Sequence, residues 1–378
     1  MMEALYVHIP FCKAKCFYCD FNSFAGYPAE FQKRYSEALK KEARLRVKSQ
    51  EINLRTVYLG GGTPTCLVGG LLAELIEFFL RIFPYRLPLE LTVESNPGTM
   101  NKEKLDLLKT AGVNRISLGV QSFNDELLKR LGRIHTAQEA VRSIQLLRGA
   151  GFENINLDLM YGLPGQDLAD WEKTLLQTIS FAPEHISLYQ LKIEEGTPLG
   201  REFQQGLLAE FDDELALRMY QLAQKILKAA GYIHYEIANF AKPGYQSIHN
   251  QTYWRTKPYL GLGAGAHSFL PPLRIENLGD VQEYVKALLD RNAVVPPQVT
   301  EEISCSQARS ETIFMGLRLL AGVDIRDFKI RYGKTPRDFF PAAVSKCLER
   351  GLIELNSNTL KLTEKGLYLG NLVFEEFL

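Results

Sequence analysis

The sequence lacks an excess of either charge. Lysine plus arginine and aspartate plus glutamate each number 44 in 378 residues, so the formal net charge is zero. Proteins that bind nucleic acid usually carry a basic excess, and this balance argues against that class. Long apolar runs are also missing, since no stretch reaches the roughly 18 uncharged apolar residues of a membrane-spanning helix. The first residues, MMEALYVHIPF, lack the basic and apolar regions of an export signal, and we therefore expect a cytoplasmic protein.

Cysteine is scarce and unevenly placed. Of six cysteines, three crowd together at Cys12, Cys16 and Cys19, and the others are scattered singly. Because no export signal is present, a disulfide framework is not expected, and clustered cysteines in a reducing cytosol more often bind metal or carry out chemistry. A structural zinc site would need a second cysteine pair or a histidine at metal-ligand spacing.

Short strand-like runs alternate with amphipathic stretches through residues 1–240. The runs are apolar throughout or alternate with small polar residues, as expected for strands that helices cover. Repeated strand–helix units predict a parallel sheet with right-handed crossovers, and six units predict an open, partial (β/α)6 barrel of the TIM type. Functional side chains should then lie at the carboxyl ends of the strands. The predicted strands are Leu5–Ile9, Thr56–Leu59, Glu90–Glu94, Arg115–Val120, Asn154–Met160 and His185–Leu191.

The pattern changes after residue 240. Residues 241–300 are rich in proline, glycine and aromatics, and we expect them to connect two domains, with Pro296–Pro297 as the linker to the second. Helices are then predicted at 306–320 and 336–350, followed by a hairpin. This order predicts a winged-helix-like α+β domain over residues 301–378. Because the chain has no dense basic patch, we expect this domain to contact the barrel or a protein partner rather than nucleic acid.

The cysteine cluster has the form CxxxCxxC and directly follows the first predicted strand. This position places Cys12, Cys16 and Cys19 on the first loop at the mouth of the barrel. Three thiolates on one short loop can bind three irons of a cubane cluster, whereas closed ferredoxin-type sites supply four. We therefore predict a [4Fe–4S] cluster whose fourth iron is open to a small chelating molecule.

The motif, its place after a strand and the aromatic residue before its last cysteine resemble the radical SAM superfamily. A glycine motif, Gly60–Thr65 (GGGTPT), follows the second strand. In that superfamily a similar motif holds the methionyl amino group of S-adenosylmethionine (SAM), since glycine allows close backbone approach. The segments YVHIPFC, RISLGVQSF, NLDLMYGLPGQ and YLGLGAGAHSF are similar to the branch that contains oxygen-independent coproporphyrinogen III dehydrogenase (HemN) and its relative HemW. The resemblance covers nearly the whole chain.

This resemblance implies two sets of SAM contacts. Tyr6, Gly61, Glu94 and the loop around His267 correspond to contacts of the SAM bound at the cluster. A second set corresponds to contacts with a second SAM in the dehydrogenase. Its members are Tyr18, Gly62, Thr63, Gln121, Arg133, Asp158 and Lys192.

Two features separate the chain from the dehydrogenase. The first strand is predicted to begin within five residues of Met1, so we expect no counterpart of the dehydrogenase's long N-terminal extension. The dehydrogenase also has a cysteine two residues past the third cluster cysteine, where this chain has Phe21. The segment Cys19–Ser23 (CDFNS) resembles HemW instead. We therefore expect no coproporphyrinogen decarboxylation.

The segment His249–Trp254 (HNQTYW) matches the HNxxYW motif of HemW, which is implicated in haem binding in that family. Imidazole is a common axial ligand of haem iron. Tyr253 and Trp254 offer flat apolar faces to a porphyrin, and Asn250 could orient the histidine or bond a propionate. On its own, a histidine beside aromatics is more often a packing residue. The resemblance implies a haem site at His249, Asn250, Tyr253 and Trp254.

These patterns together predict a haem chaperone that binds haem and a SAM-coordinated [4Fe–4S] cluster and transfers haem to an acceptor protein. The alternative is a radical SAM enzyme that acts on a porphyrinogen or on haem, because the cysteine triad and the glycine loop are intact. The expected cofactors are the cluster, SAM and haem. We expect neither nucleic acid nor a membrane-spanning segment, while the acceptor's identity, a peripheral membrane association and a homodimer stay open.

Overall fold

The computed structural model describes residues 2–49, 51–208, 212–289 and 298–378. Six parallel strands lie side by side in chain order and are separated in sequence by helices, which confirms the predicted partial barrel. The strands are Met2–Ile9, Ile52–Gly61, Tyr85–Ser95, Arg115–Gln121, Ile155–Tyr161 and His185–Gln190. The helices that follow them are Ala29–Arg46, Leu71–Ile82, Lys102–Thr110, Asp125–Arg130, Ala137–Gly149, Leu168–Ser180, Pro198–Gln204 and Asp213–Ala229.

The two faces of each barrel strand meet different surroundings. In the first strand Leu5, Val7 and Ile9 are fully buried in the main apolar core. Tyr6 and His8 alternate with them and bond to each other through Tyr6 Oη and His8 Nδ1 at 2.9 Å. Because side chains alternate along a strand, the barrel has an apolar outer face under its helices and a polar inner face. The inner face therefore carries the groups available for chemistry.

Much of the segment predicted to connect the domains is built into the same sheet. Tyr259–Leu262 pairs in parallel with the first strand, so the backbone of that strand is hydrogen-bonded on both sides. Further strands lie at the two edges of the sheet: Ile233–Glu236, Asn239–Ala241, His267–Leu270, Leu273–Asn277 and Gln298–Glu302. The segment also contains helices Ile248–Trp254 and Val281–Leu289. Pro296–Pro297 lies outside the described residues.

The C-terminal region combines helices with a three-stranded sheet, including the predicted hairpin. Its strands are Val323–Asp324, Ile353–Leu355 and Thr359–Leu362. The single helix predicted over 336–350 is wrong, because it divides into Pro336–Phe339 and Pro341–Glu349. Pro341 lacks a backbone N–H and cannot continue the preceding helix. The other helices are Cys305–Gly316, Ile325–Tyr332, Glu364–Tyr368 and Gly370–Glu375. No helix among the described residues is long and apolar enough to span a membrane.

Backbone hydrogen bonds join the C-terminal region to the barrel. The N–H of Ile237 donates to Arg318 O at 3.1 Å, and the N–H of Leu320 donates to Tyr235 O at 3.0 Å. The guanidinium of Arg318 lies 4.3 Å from the centre of the Trp254 ring. Helix Cys305–Gly316 is thereby held beside helix Ile248–Trp254.

The apolar core of the C-terminal region predicts a large effect for Phe328→Ala. The Phe328 side chain is 1% exposed in that core, and truncation of a buried phenylalanine costs about 3–5 kcal/mol of unfolding free energy. Urea unfolding followed by circular dichroism measures the loss. Ile330 lies on the same helix and is 73% exposed, so Ile330→Ala is the matched control and should change the unfolding free energy by no more than about 0.5 kcal/mol. Equal effects of the two changes would contradict this placement of the core.

Candidate functional site

The three motif cysteines lie on the loop after the first strand, and each sulfur meets a polar side chain. Cys12 Sγ lies 3.5 Å from Thr63 Oγ1, and Cys19 Sγ lies 3.8 Å from Ser23 Oγ. Cys16 Sγ accepts a hydrogen bond from Arg133 Nη1 at 3.4 Å. Burial raises the pKa of Cys12 to about 11 and also raises that of Cys19. In the metal-free loop the thiol form is therefore favoured at these two positions, and iron must displace their protons.

The glycine loop lies directly against the cysteine loop. Gly61 has φ of 110°, a conformation that other residues rarely adopt, and a Cβ there would overlap the His8 imidazole. A Cβ on Gly62 would lie 2.8 Å from Phe11 O and 3.0 Å from Cys12 Sγ. Only glycine fits at either position, and the backbone of this loop is thereby brought beside the thiols. Three sulfurs on one loop, with a backbone edge next to them, fit a cluster that leaves one iron for SAM.

The Glu94 carboxylate contacts the inner side of the glycine loop. Its carboxylate accepts a hydrogen bond from Tyr58 Oη at 2.7 Å and another from the N–H of Gly61 at 3.1 Å. A Cβ on Gly60 would lie 2.8 Å from the same carboxyl group. Burial raises the pKa of Glu94 to about 7. A carboxylate held in this way can bind a pair of ribose hydroxyls or an ammonium group.

A second cluster of polar residues surrounds Arg133. Asn96 Nδ2 donates to Thr63 Oγ1 at 2.7 Å, and Asn96 Oδ1 accepts from Arg133 Nη2 at 2.6 Å. Arg133 also donates to the carbonyl of Gly119. Asn96 thus connects the glycine loop to the arginine, a role that sequence reasoning did not assign. The sequence feature that could have indicated this role is the position of Asn96, two residues past Glu94 at the end of a strand.

The remaining predicted SAM contacts differ in their burial and in whether they lie near the residues around Arg133. Asp158 is partly buried and accepts hydrogen bonds from Asn156 at 2.8 Å and Ser117 at 3.1 Å, and desolvation raises its pKa. Gln121 ends the fourth strand with φ of 65°, and its Oε1 is buried without a partner among the described residues. Such an unpartnered oxygen fits a position that a ligand completes. Lys192 is exposed two residues past the sixth strand and is not brought into this group.

Tyr18 belongs to the cysteine loop itself, between Cys16 and Cys19, and the segment before His267 lies beside that loop. Burial raises the pKa of Tyr18, and its ring packs beside a small apolar cluster. Asn22 Nδ2 donates to Ala264 O at 3.1 Å, which holds the glycine-rich turn next to the cysteine loop. His267 itself is half exposed and lies 3.9 Å from Glu276. The turn before His267, rather than its imidazole, is therefore the part in contact with the site.

His249 is buried on helix Ile248–Trp254, with 1% of its surface exposed. Its Nδ1 lies 2.8 Å from Thr56 Oγ1, and its Nε2 lies 2.8 Å from Tyr253 Oη. The ring stacks on Tyr58 with centroids 4.9 Å apart. Burial lowers the pKa of His249 to about 3, which keeps the imidazole neutral. Since both nitrogens are bonded, this arrangement differs from the free imidazole expected of an axial haem ligand.

Tyr253 and Trp254, from the end of the same helix, line a cavity of about 390 Å³. Asn250 does not line it. The Trp254 Nε1 atom is buried and lacks a partner among the residues that the structure describes. Lys257 and Arg274 supply positive charge at the cavity. The other lining residues are Thr256, Tyr259, Phe269, Glu311, Phe314 and Met315.

This cavity combines aromatic walls with an unpaired donor and with two cationic side chains, of which Arg274 is paired with the lining carboxylate Glu311. Flat rings pack well on aromatic side chains, and carboxylates pair with Arg and Lys. The cavity is therefore suited to a flat apolar molecule that carries carboxylates. Sequence reasoning missed Tyr259, Phe269 and Met315, because they come from two strands and a helix of the C-terminal region that no local pattern connects.

Comparisons with known proteins show the family to which the chain is similar. Residues 6–177 match the sequence profile of the Radical SAM superfamily, and residues 304–369 match that of the HemN C-terminal domain. The chain is 39% identical to the heme chaperone HemW of Bacillus subtilis, over 100% of this chain and 99% of that protein. It is 43% identical to the heme chaperone HemW of Escherichia coli, over 70% of this chain and 69% of that protein. The structure of coproporphyrinogen III oxidase (HemN) from Escherichia coli has the same fold, with a TM-score of 0.86 and 22% identity over 100% of this chain and 90% of that one.

The raised pKa of Glu94 predicts a pH-dependent stability of the cluster-free protein. A carboxyl with a folded-state pKa of about 7 and an ordinary value of 4.5 binds more protons in the folded chain between those values. The free energy of unfolding should therefore fall as pH rises through that window, by on the order of 3 kcal/mol. Glu94→Gln should abolish this contribution, so the variant gains stability relative to wild type between about pH 5 and pH 8 in denaturant titrations. If the unfolding free energies of Glu94→Gln and wild type differ by the same amount at about pH 5 and about pH 8, the prediction is contradicted.

The sulfur positions predict which cysteines are needed for iron binding. After anaerobic reconstitution with iron and sulfide, Cys16→Ser should lose most of the cluster, because only two thiolates remain on the loop. Cys66 lies in the short helix Pro64–Cys66 beside the glycine loop and provides a matched control. Cys66→Ser should keep the wild-type iron and sulfide content and the electron paramagnetic resonance (EPR) signal of the reduced cluster. Loss of the cluster in Cys66→Ser would show that the ligand set is wrong.

Proposed function

Because the chain belongs to the family of the heme chaperone HemW, within the radical SAM superfamily, we propose that it binds haem and passes it to an acceptor protein. Membership of the superfamily implies a [4Fe–4S] cluster and SAM. Because free thiols and an iron–sulfur cluster persist in a reducing compartment, we propose that the protein acts in the cytoplasm. The aromatic cavity at the end of helix Ile248–Trp254 is the observation that carries the haem assignment.

The cluster and its SAM belong at the mouth of the barrel in this proposal. Cys12, Cys16 and Cys19 would hold three irons, and the Gly61 backbone and Glu94 would hold the SAM on the fourth. When bound, the reduced cluster supplies one electron that can cleave SAM. The second group, around Arg133 and with Thr63, Gln121 and Asp158, would hold a further carboxylate or ribose.

The cavity supports haem as the cargo. Tyr253, Trp254, Tyr259 and Phe269 provide the faces of a porphyrin site. Arg274 and Lys257 are placed to pair with propionates, and the unpartnered Trp254 Nε1 can donate to one. Arg274 already pairs with Glu311 at 2.7 Å, so a propionate would share or replace that partner.

Trp254→Ala tests the cavity. Removal of the indole deletes an aromatic wall and its free donor, and we expect haem affinity to fall by at least about tenfold, a loss of about 1.4 kcal/mol. Haem titration followed by the Soret band under anaerobic conditions measures it. Tyr85 is 44% exposed at the start of the third strand and does not line the cavity.

Tyr85→Ala therefore controls for haem that adheres to surface aromatics. It should leave the titration curve unchanged. If the two variants bind haem equally well, the cavity is not the site. If wild-type protein shows no saturable haem binding, the proposed function itself fails.

A further inference from the structure

We propose that the phenol oxygen of Tyr259 is an axial ligand of ferric haem in the cavity beside helix Ile248–Trp254. This inference rests on the proposed function, because it takes haem as the cargo of that cavity. Tyr259 lies on a strand of the sheet, outside the motif that contains the ligand expected from the sequence, His249. The proposal therefore moves the contact with iron from the helix to the neighbouring sheet.

Tyr259 belongs to a row of side chains on one face of the sheet. It pairs with Phe269 on the adjacent antiparallel strand, and Phe269 pairs with Arg274 on the next strand. Residues directly opposite each other on neighbouring strands share a face, and all three line the cavity. Helix Cys305–Gly316 lines it as well, and its Glu311 pairs with Arg274 at 2.7 Å. The cavity therefore lies between this row of the sheet and that helix.

The Tyr259 hydroxyl is accessible and has no partner in the described part of the chain. The residue is only partly buried, and its oxygen makes no hydrogen bond to a described residue. That oxygen is not among the polar atoms that are buried without a partner, so it is open to solvent. A phenol oxygen has lone pairs that a metal can accept. Iron in the cavity can therefore bind this oxygen without breaking a contact within the described chain.

Tyr253, the other tyrosine that lines the cavity, differs in this respect. Its hydroxyl lies 2.8 Å from Nε2 of His249. His249 is 1% exposed, and its Nδ1 lies 2.8 Å from Thr56 Oγ1. Iron could reach the Tyr253 oxygen or the imidazole only after these contacts break. Of the two cavity phenols, Tyr259 is thus the one that is free to bind a metal.

The Met315 thioether is the main competing ligand at the cavity. Glu311 is already paired with Arg274, and the ammonium group of Lys257 has no lone pair to donate. Thioether and phenolate differ in charge. Ferric iron carries one more positive charge than ferrous iron, so an anionic phenolate favours the ferric state more strongly than a neutral sulfur does. The oxidation state of the iron therefore separates the two ligands.

Binding of iron must displace the phenol proton. Burial raises the pKa of Tyr259, the charge of nearby Arg274 opposes that rise, and Glu311 adds to it. The phenol therefore keeps its proton until a metal binds. The axial water of ferric haem then leaves, an Fe–O bond forms, the phenol O–H bond breaks, and the proton passes to bulk water. The iron stays ferric and no electron is transferred. Tyrosine is a known axial ligand of haem iron.

The two cavity tyrosines provide a matched pair of variants. Their rings meet edge-on with centroids 4.6 Å apart. Tyr259→Phe removes the proposed ligand and keeps the ring, whereas Tyr253→Phe removes only the phenol that contacts His249. Because the Tyr259 hydroxyl bonds to no described residue, its removal leaves no buried group without a partner, and we expect Tyr259→Phe to fold.

Resonance Raman spectra of the ferric haem complexes test the ligand, with protein labelled with ring-deuterated tyrosine. Wild type should show iron-bound phenolate bands that shift with the label. Tyr259→Phe should lose these bands and bind ferric haem at least about tenfold more weakly in Soret titrations. Tyr253→Phe should keep the bands. Reduction with dithionite should weaken haem binding to wild type more than to Tyr259→Phe, because the phenolate favours ferric iron.

Phenolate bands that persist in Tyr259→Phe would overturn the proposal. A wild-type spectrum without such bands would overturn it too, and Met315→Leu would then show whether the thioether is bound. In both cases haem still binds and the proposed function stands. If wild type shows no saturable haem binding, both the inference and the proposed function fail.

Circular dichroism melting establishes whether each variant is folded. If Tyr259→Phe does not fold, the spectrum of Tyr253→Phe decides alone. Phenolate bands that remain in Tyr253→Phe assign the ligand to Tyr259, the other tyrosine that lines the cavity. Loss of the bands in Tyr253→Phe would assign it to Tyr253 and overturn the proposal.

Discussion

The register between the first two strands is the constraint on which both candidate sites depend. Tyr6 lies beside Tyr58, and His8 lies beside Gly60. Because side chains alternate along a strand, this register turns Tyr6, His8 and Tyr58 toward the barrel interior together with Thr56. A slip of one residue would turn these polar side chains into the apolar core. The cluster loop, the Glu94 carboxylate and the support for His249 would then be lost together.

A continuous column of rings follows from that register. Tyr6 stacks near Tyr58 with centroids 6.2 Å apart, Tyr58 stacks on His249, and His249 meets Tyr253 edge-on at 5.1 Å. Tyr58, the second ring of this column, donates a hydrogen bond to Glu94, and Tyr253, the last ring, lines the cavity. The candidate SAM site and the candidate haem site are therefore in contact through packed side chains.

Local features could be predicted from the sequence, and features assembled from distant segments could not. The cysteine loop and Gly61 were predictable because spacing and backbone freedom act over a few residues. Helix 336–350 was predicted as one element, whereas Pro341 divides it in two, because proline cannot continue the preceding helix. Asn96 was missed because its role depends on Thr63 and Arg133, which come from other loops. The cavity was missed because its walls belong to two regions of the chain.

Because the cavity walls belong to two regions of the chain, ligand binding depends on the contacts between those regions. One wall, with Tyr253 and Trp254, belongs to the barrel region, and another, with Phe314 and Met315, belongs to the C-terminal region. Near the cavity the two regions are joined by backbone hydrogen bonds, by Arg318 over Trp254, and by side-chain contacts such as Arg274–Glu311 and Thr256–Thr312. A ligand that contacts both walls stabilises their association by its binding free energy, and separation of the walls weakens its binding by the same amount. Binding of a ligand between the two walls and the association of the two regions are therefore thermodynamically linked.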